Sequence, residues 1–532
     1  MKCKHRIMTF MTLLVVLSLL VAACGGEETA AEPAAAPTEA PKEEPTKAPE
    51  VAQSAAVTET TATTDTAAAA AEGLVMAPEG SAAKAVEAAK QYAGATLNVT
   101  WESGLQAQDP LLFSGPLWEE LTGIQINVIE VPFPELYSKA VAEHLGGTGA
   151  YDVISYSPAW TGDLADSGVL EPLDDYIAKY GAELDDLLPV YKGLMSWKGQ
   201  NWGLFDDGDV FVMYYRKDWL EDQANRDEFK AKFNRDLAAP TTWPEWDEVC
   251  QFFTEKLSAE GAYGCAIQRA EGQAYLWFMD HYRANGGKFF DENMQAQING
   301  DIGLQTLTQM VTSNQYMPAG IEKWGFIEVL SAWMDGKLGM IITWPPIGRW
   351  SAGYGADTEQ LSWVPKNQIA GKVGYAIPPG GHPELAGGFN LGVSADSQNK
   401  DAAYLFVQWL QSPEVSLARV KLQYALRDPY RAAHFADEGY QSLWPDAPAY
   451  LQVLQDGAVV GVHDLGIPGA REYEEALDRA VTAAYAGTDP KEALEQAASE
   501  WNEITDRIGV DTQKAAYEEW MKTRGVNAYP AQ

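Results

Sequence analysis

Residues 204–247 read LFDDGDVFVMYYRKDWLEDQANRDEFKAKFNRDLAAPTTWPEWD, and this stretch decides the fold. It opens with an acidic turn, Asp206, Asp207 and Asp209, and passes into an apolar β-type run from Val210 to Tyr215. A charged Arg-Lys-Asp-Trp-Leu step follows. Thr242 and Glu245 then have the spacing of a capping box, which predicts a helix start. Behind it Trp246, Val249, Cys250, Phe253 and Leu257 recur at helical spacing, so the helix has one apolar face.

This succession resembles the "yYrkD…P.TW.E" signature of the extracellular solute-binding proteins of ABC importers, family 1, whose best-known members bind maltose and other oligosaccharides. The resemblance implies an α/β, two-lobed periplasmic-binding-protein fold of type II, with a ligand cleft between lobes joined by a multi-strand hinge. It also implies that the strand at 210–215 carries the chain from one lobe to the other, with the acidic turn facing the cleft.

Working outward, Met1 to Arg6 is basic and Ile7 to Ala23 is a 17-residue, mostly apolar run that ends in Val-Ala-Ala-Cys24. That is the pattern of a secretory leader, shorter than a membrane-spanning helix needs. Leu20 to Cys24 resembles the bacterial lipobox, which implies a diacylated Cys24, a lipid anchor in the membrane, and a body facing the extracellular or periplasmic side. Residues 24–92 are expected to be a tether, because the stretch to about Glu72 is Ala, Pro, Thr and Glu without an aromatic residue. A short helix is expected at 81–92. The net charge is −37, and because no acid precedes Cys24 while Lys2, Lys4 and Arg6 do, the remainder carries −40. Such a surface disfavours nucleic acid as a partner.

From Thr96 the pattern alternates strand and helix, which argues for a parallel, doubly wound sheet whose ligands sit beyond the carboxyl ends of the strands. That rule selects Trp101, Glu102, Tyr156 and Trp160. "YDVISYSPAW" resembles a family stretch in which the residues after the strand stack on sugar. Further resemblances place Tyr275 or Trp277 ahead of the Asn285-Gly-Gly287 turn, Trp344 at a strand end, and Asn390 on the return to the first lobe. They also place Arg471 at the start of a closing helix, and Asp209 against sugar hydroxyls. Tyr275 and Trp277 sit two apart, so they do not share one helical face. The expected lobes are 93–209 with 388–432, and 210–387 with 433–532, linked by crossings near 206–213, 385–390 and 430–440.

The sequence carries no GxSxG, HExxH, P-loop or paired CxxC motif, and its six histidines show no short metal-ligand spacing. No cofactor or metal is expected. Cys3 leaves with the leader and Cys24 would be lipidated, so Cys250 and Cys265 remain. In an exported protein two such cysteines suggest a disulfide, with a buried thiol at Cys250 as the alternative. The function these readings imply is capture of a sugar or oligosaccharide by a monomeric, anchored, non-enzymatic binding protein that serves ABC permease transmembrane subunits. A cell-anchored carbohydrate-active enzyme and a binder of a polyol or other small solute are the alternatives. For the enzyme, Asp206 and Asp207 are a poor acid–base pair, since neighbours on a strand point oppositely.

Overall fold

The computed structural model describes residues 74–356, 358–385, 388–424 and 426–525. The leader, Cys24 and the tether up to residue 73 lie outside the described residues. Two sheets organise the chain. In spatial order the first consists of the strands at 125–131, 96–102, 153–156, 390–393 and 204–205, and the second of those at 373–376, 212–216, 338–343 and 263–266. Strands β1 (Thr96–Glu102), β2 (Gln125–Val131) and β3 (Val153–Tyr156) are parallel, as the strand–helix alternation predicts. Strand β4 is Leu204–Phe205, β5 Val212–Arg216, β6 Tyr263–Ala266, β7 Leu338–Thr343, β8 Val373–Ala376 and β9 Asn390–Val393. Strand β9 runs antiparallel to β3 and β4, and β5 runs antiparallel to β7 and β8. Each sheet is therefore mixed, because the chain enters or re-enters it from the other lobe.

The alternation of Leu97, Val99 and Trp101 puts all three in the core with no exposed surface. The helix Trp243–Leu257 is capped by Thr242, whose hydroxyl accepts from the Glu245 amide at 3.4 Å. The Glu245 carboxylate reaches back one residue further than expected, to the Thr241 amide at 2.8 Å. Cys250 on this helix is disulfide-bonded to Cys265 in β6, with Cα atoms 5.1 Å apart. Residues 81–92 belong to the folded body and not to the tether. Ala82, Ala85 and Ala89 of the helix Ser81–Ala89 are fully buried, and the small side chains let it lie close against the helix Lys400–Leu410. The helix Val510–Arg524 does not belong to the second lobe alone. Its Trp520 packs on Phe289 while its Arg524 donates to the carbonyl of Gly193, beside the first sheet.

The two sheets are joined where three passes of chain meet. The Asp206 amide donates to the Phe389 carbonyl at 2.7 Å, the Gly208 amide to the Asp428 carbonyl at 3.1 Å, and the Phe211 amide to the Glu384 carbonyl at 3.0 Å. Gly208 has no alternative here, since a Cβ would stand 2.2 Å from the Pro429 carbonyl oxygen. The acidic turn is buried, not solvated: Asp206 and Asp207 have no exposed surface. Asp206 is held by Arg419 at 2.6 Å, Arg427 at 3.0 Å and the Gln411 amide at 2.6 Å. Arg419 also holds Asp109 at 2.6 Å. Burial alone would raise Asp206, but the two guanidiniums outweigh it and hold the carboxyl below its ordinary range.

Two stability measurements follow. Arg419→Met removes one of the two cations that buried Asp109 and Asp206 share, leaving Arg427 alone against both, and should cost about 3–5 kcal/mol in urea denaturation. Replacing Cys250 and Cys265 together by Ala should cost about 3 kcal/mol, the value for a closed loop of this length.

Candidate functional site

A cavity of about 250 Å³ opens between the two sheets. Its wall is built from strand ends of both lobes. Glu102 ends β1, Phe133 follows β2, and Ser157 follows β3; Trp344 follows β7, and Gln273 and Tyr275 lie in the connection beyond β6. This is where an open α/β sheet presents its ligand site. Asp209 and Phe389 come from the hinge, and Asp464 from the segment that Val462 bridges to Glu384. Tyr275 is positioned by Asp478, whose carboxylate accepts from the Gly272 amide at 2.7 Å and the Tyr275 amide at 3.1 Å. The wall thus combines aromatic faces (Phe133, Tyr275, Phe326, Trp344, Phe389) with carboxyl and amide groups (Glu102, Asp209, Asp464, Gln106, Gln273).

The acids of this region are strongly perturbed. Burial pushes Glu102 up to about 7 against the opposing pull of Arg427. Burial, then the neighbouring Asp207 and Asp428 carboxylates, hold Asp209 well above the carboxylate range, although the Gly388 amide donates to it at 2.8 Å. Burial raises Asp464 as well. Behind the wall, burial lifts Glu474 to about 7 against Arg471, and lifts Asp207 to about 7 with help from Asp428.

Of the residues singled out in the sequence, Glu102, Asp209, Tyr275 and Trp344 line the cavity. The others stand behind it. Trp101 is buried beneath the Arg427 guanidinium, because it precedes Glu102 on the strand and points to the opposite face. Tyr156 lies in the core for the same reason, and Ser157 takes its expected place. Trp160 is fully buried, donates to Glu474 at 3.2 Å and packs on Phe133 at 5.4 Å between ring centroids. Trp277 is buried, donates to the Ile342 carbonyl at 3.0 Å and meets Trp344 edge-on at 5.2 Å. Of Tyr275 and Trp277, then, only Tyr275 faces the cavity. Asn390 donates to the Leu194 carbonyl at 3.0 Å inside the first sheet, and Arg471 pairs with Glu474 at 3.3 Å and Glu475 at 3.0 Å. Phe133, Phe326, Phe389, Gln106, Gln273 and Asp464 were not singled out. A strand-end rule applied to β2 would have found Phe133, but no pattern marks Asp464.

Residues 94–416 match the family defined as bacterial extracellular solute-binding protein. The chain belongs to that family. Its members are binding proteins, and the family places this one on the extracellular or periplasmic side. Among similar proteins is a "probable amino-acid ABC transporter periplasmic-binding protein" of Sinorhizobium fredii, 27% identical over 355 residues, covering 63% of this chain and 73% of the relative. An erythritol/L-threitol-binding protein of Mycolicibacterium smegmatis is 22% identical over 437 residues, covering 76% and 85%. A solute-binding protein of Agrobacterium radiobacter, solved with ribitol, aligns with TM-score 0.64 at 22% identity over 77% of this chain and all but 1% of its own. The two-lobed type II fold of this solute-binding protein is therefore shared with solved relatives.

The perturbed acids give the binding protein a signed pH dependence. Glu102, Asp207, Asp280 and Glu474 hold protons up to about 7 in the folded state, whereas the unfolded chain releases them in the ordinary carboxylate range. Their contribution is lost as pH rises through 7. Buried His281, His434 and His463 are held well below their ordinary value and act on the other side, losing stability only as pH falls through the unfolded histidine range. Calorimetric Tm should therefore fall from pH 6.5 to pH 8 in the absence of ligand.

Proposed function

We propose that the protein captures a small polyhydroxylated solute, a sugar or polyol, between its lobes and delivers it to the transmembrane subunits of an ABC permease. The observation that carries this is the composition of the cavity wall. Trp344, Tyr275 and Phe133 offer flat apolar faces to the C–H side of a ring or chain, while carboxyl and amide groups from both lobes meet hydroxyls. At about 250 Å³ the cavity suits a polyol, a monosaccharide or a short saccharide better than a long oligosaccharide. The erythritol/L-threitol-binding relative, a mannitol-binding relative of Pseudomonas aeruginosa and the ribitol-bound structure support the same class. The relative named for an amino acid suggests another solute, but among the described residues the wall has no Lys or Arg to meet an α-carboxylate. On this reading Cys24 is diacylated, the chain acts as an anchored monomer, and the segment after Cys24 tethers the body.

A solute that binds only the folded state raises Tm, so a thermal-shift screen of sugars and polyols should yield hits. Absence of any stabilising sugar or polyol would overturn the reading. Trp344→Ala should weaken binding of a hit by about 1–3 kcal/mol with little loss of fold. Trp160→Ala should act mainly on stability, because its ring supports Phe133 from behind. Asp209→Ala, which removes the hydroxyl's partner altogether, should weaken binding about tenfold, or roughly 1.4 kcal/mol, by calorimetry. Mass spectrometry of the mature amino terminus should find a lipidated cysteine.

A further inference from the structure

The helix Val510–Arg524 is anchored in the second lobe and ends in the first. Tyr517 meets Phe290 edge-on at 5.5 Å between ring centroids, and Trp520 meets Phe289 at 5.5 Å. The Trp520 indole donates to the Asp464 carbonyl at 3.0 Å, so the helix also holds one residue of the cavity wall. Arg524 stands one turn further on and leaves this lobe. Its Nη1 donates to the Gly193 carbonyl of the helix Pro189–Leu194, which belongs to the first lobe. The seam is tight here, since a Cβ on Gly193 would stand 3.3 Å from the Thr523 carbonyl oxygen. Arg524 also lines a void of about 10 Å³, together with Ser157, Pro158 and Leu194 of the first lobe and His463 and Asp464. Ser157 and Asp464 face the solute cavity as well, so the guanidinium sits at one rim of the cleft.

That guanidinium is buried, 6% exposed, and among the described residues it forms no ion pair. Burial draws its pKa down to about 10, and the nearby Tyr156 opposes this only in part. An arginine buried without a carboxylate gives up hydration that one carbonyl acceptor does not restore. The deficit exists only while the first lobe covers the side chain. Tyr517 and Trp520 keep the helix on the second lobe, so parting the lobes at Gly193 returns Arg524 to water and leaves the rest of the helix packed. The favourable effect of a cation in the last turn of a helix is the same in both states and does not offset the difference.

We propose that Arg524 is a closure spring: a cation desolvated at the interlobe seam whenever the lobes shut, which holds part of the ligand-free protein open and lowers its affinity for solute. This rests on the reading above, in which solute binds between the lobes, and adds the regulation of that site. A solute that binds the shut form must first offset the cost of covering Arg524. Apparent affinity therefore falls with the fraction of protein that is shut. The same cost drives reopening, so solute leaves faster than the contacts of the cavity wall alone would allow.

The test uses the full chain with spin labels introduced by Leu145→Cys and Thr308→Cys, exposed positions on the helices Phe133–Gly146 and Asp301–Ser313 of opposite lobes. Pulsed electron resonance reads the distance between them without solute. The wild type should show an open population that Arg524→Met shifts toward the short, shut distance. Arg524→Gln, neutral but still polar, serves if the Met variant fails to fold. Calorimetry and stopped-flow with ribitol, D-mannitol and maltose should give about tenfold tighter binding in the variant for any of them that binds, through slower dissociation. Equal distances in wild type and variant would overturn the inference. A variant that is more open, or that binds more weakly, would overturn it too and make the Gly193 contact a latch. If none of the three solutes binds either protein, the sugar or polyol reading loses its support, while the label distances alone still decide whether Arg524 resists closure.

Discussion

The Asp206 carboxylate, buried and gripped by Arg419 and Arg427, is the contact on which the rest of the arrangement depends. A carboxylate with no exposed surface is tolerable only when paired, and here the pairing partners come from the third pass of chain. Asp206 therefore ties the first crossing to the last, while its amide ties the first to the second through Phe389. Asp207 repeats the pattern by accepting from the Asp428 amide at 2.7 Å. With the turn fixed at these points, Asp209 is delivered to the floor of the cavity, and the sheets on either side present their strand ends to one another.

The cavity aromatics are held from behind in the same manner. Phe133 rests on Trp160, which is itself anchored to Glu474 of the helix Ala470–Tyr485. Trp344 rests on Trp277 and Phe211. That helix also supplies Asp478, which sets the first turn of Ala274–Ala284 and so the position of Tyr275. One carboxyl-terminal helix thus supports residues of both lobes, an arrangement that leaves the wall preorganised and little side-chain freedom to lose on binding.

Fold class was readable because it depends on local patterns: alternation in β1, helical spacing behind Thr242, and strand–helix alternation along the first lobe. The strand-end rule also led to the right place in the molecule. It missed by one residue at Trp101 and Tyr156, since a pleat sends neighbours to opposite faces and the register of a strand end is not visible in its composition. The family resemblance brought Asp209, Tyr275 and Trp344 to the wall, where position along a fold matters more than residue type. Burial of Asp206 and Asp207 was out of reach, because Arg419 and Arg427 lie more than 200 residues away in the chain. Asp464 was missed for a related reason: it reaches the wall only because Val462 is bridged to Glu384, far away in the chain.

The proposed function requires that solute bind between the lobes and touch both. A crystal structure with a stabilising sugar or polyol would show this contact. Ligand density is expected in the cavity, in contact with Glu102 on one side and Trp344 on the other, and within hydrogen-bond reach of Asp209. A ligand seated outside this cavity, or touching residues of one lobe alone, would contradict it.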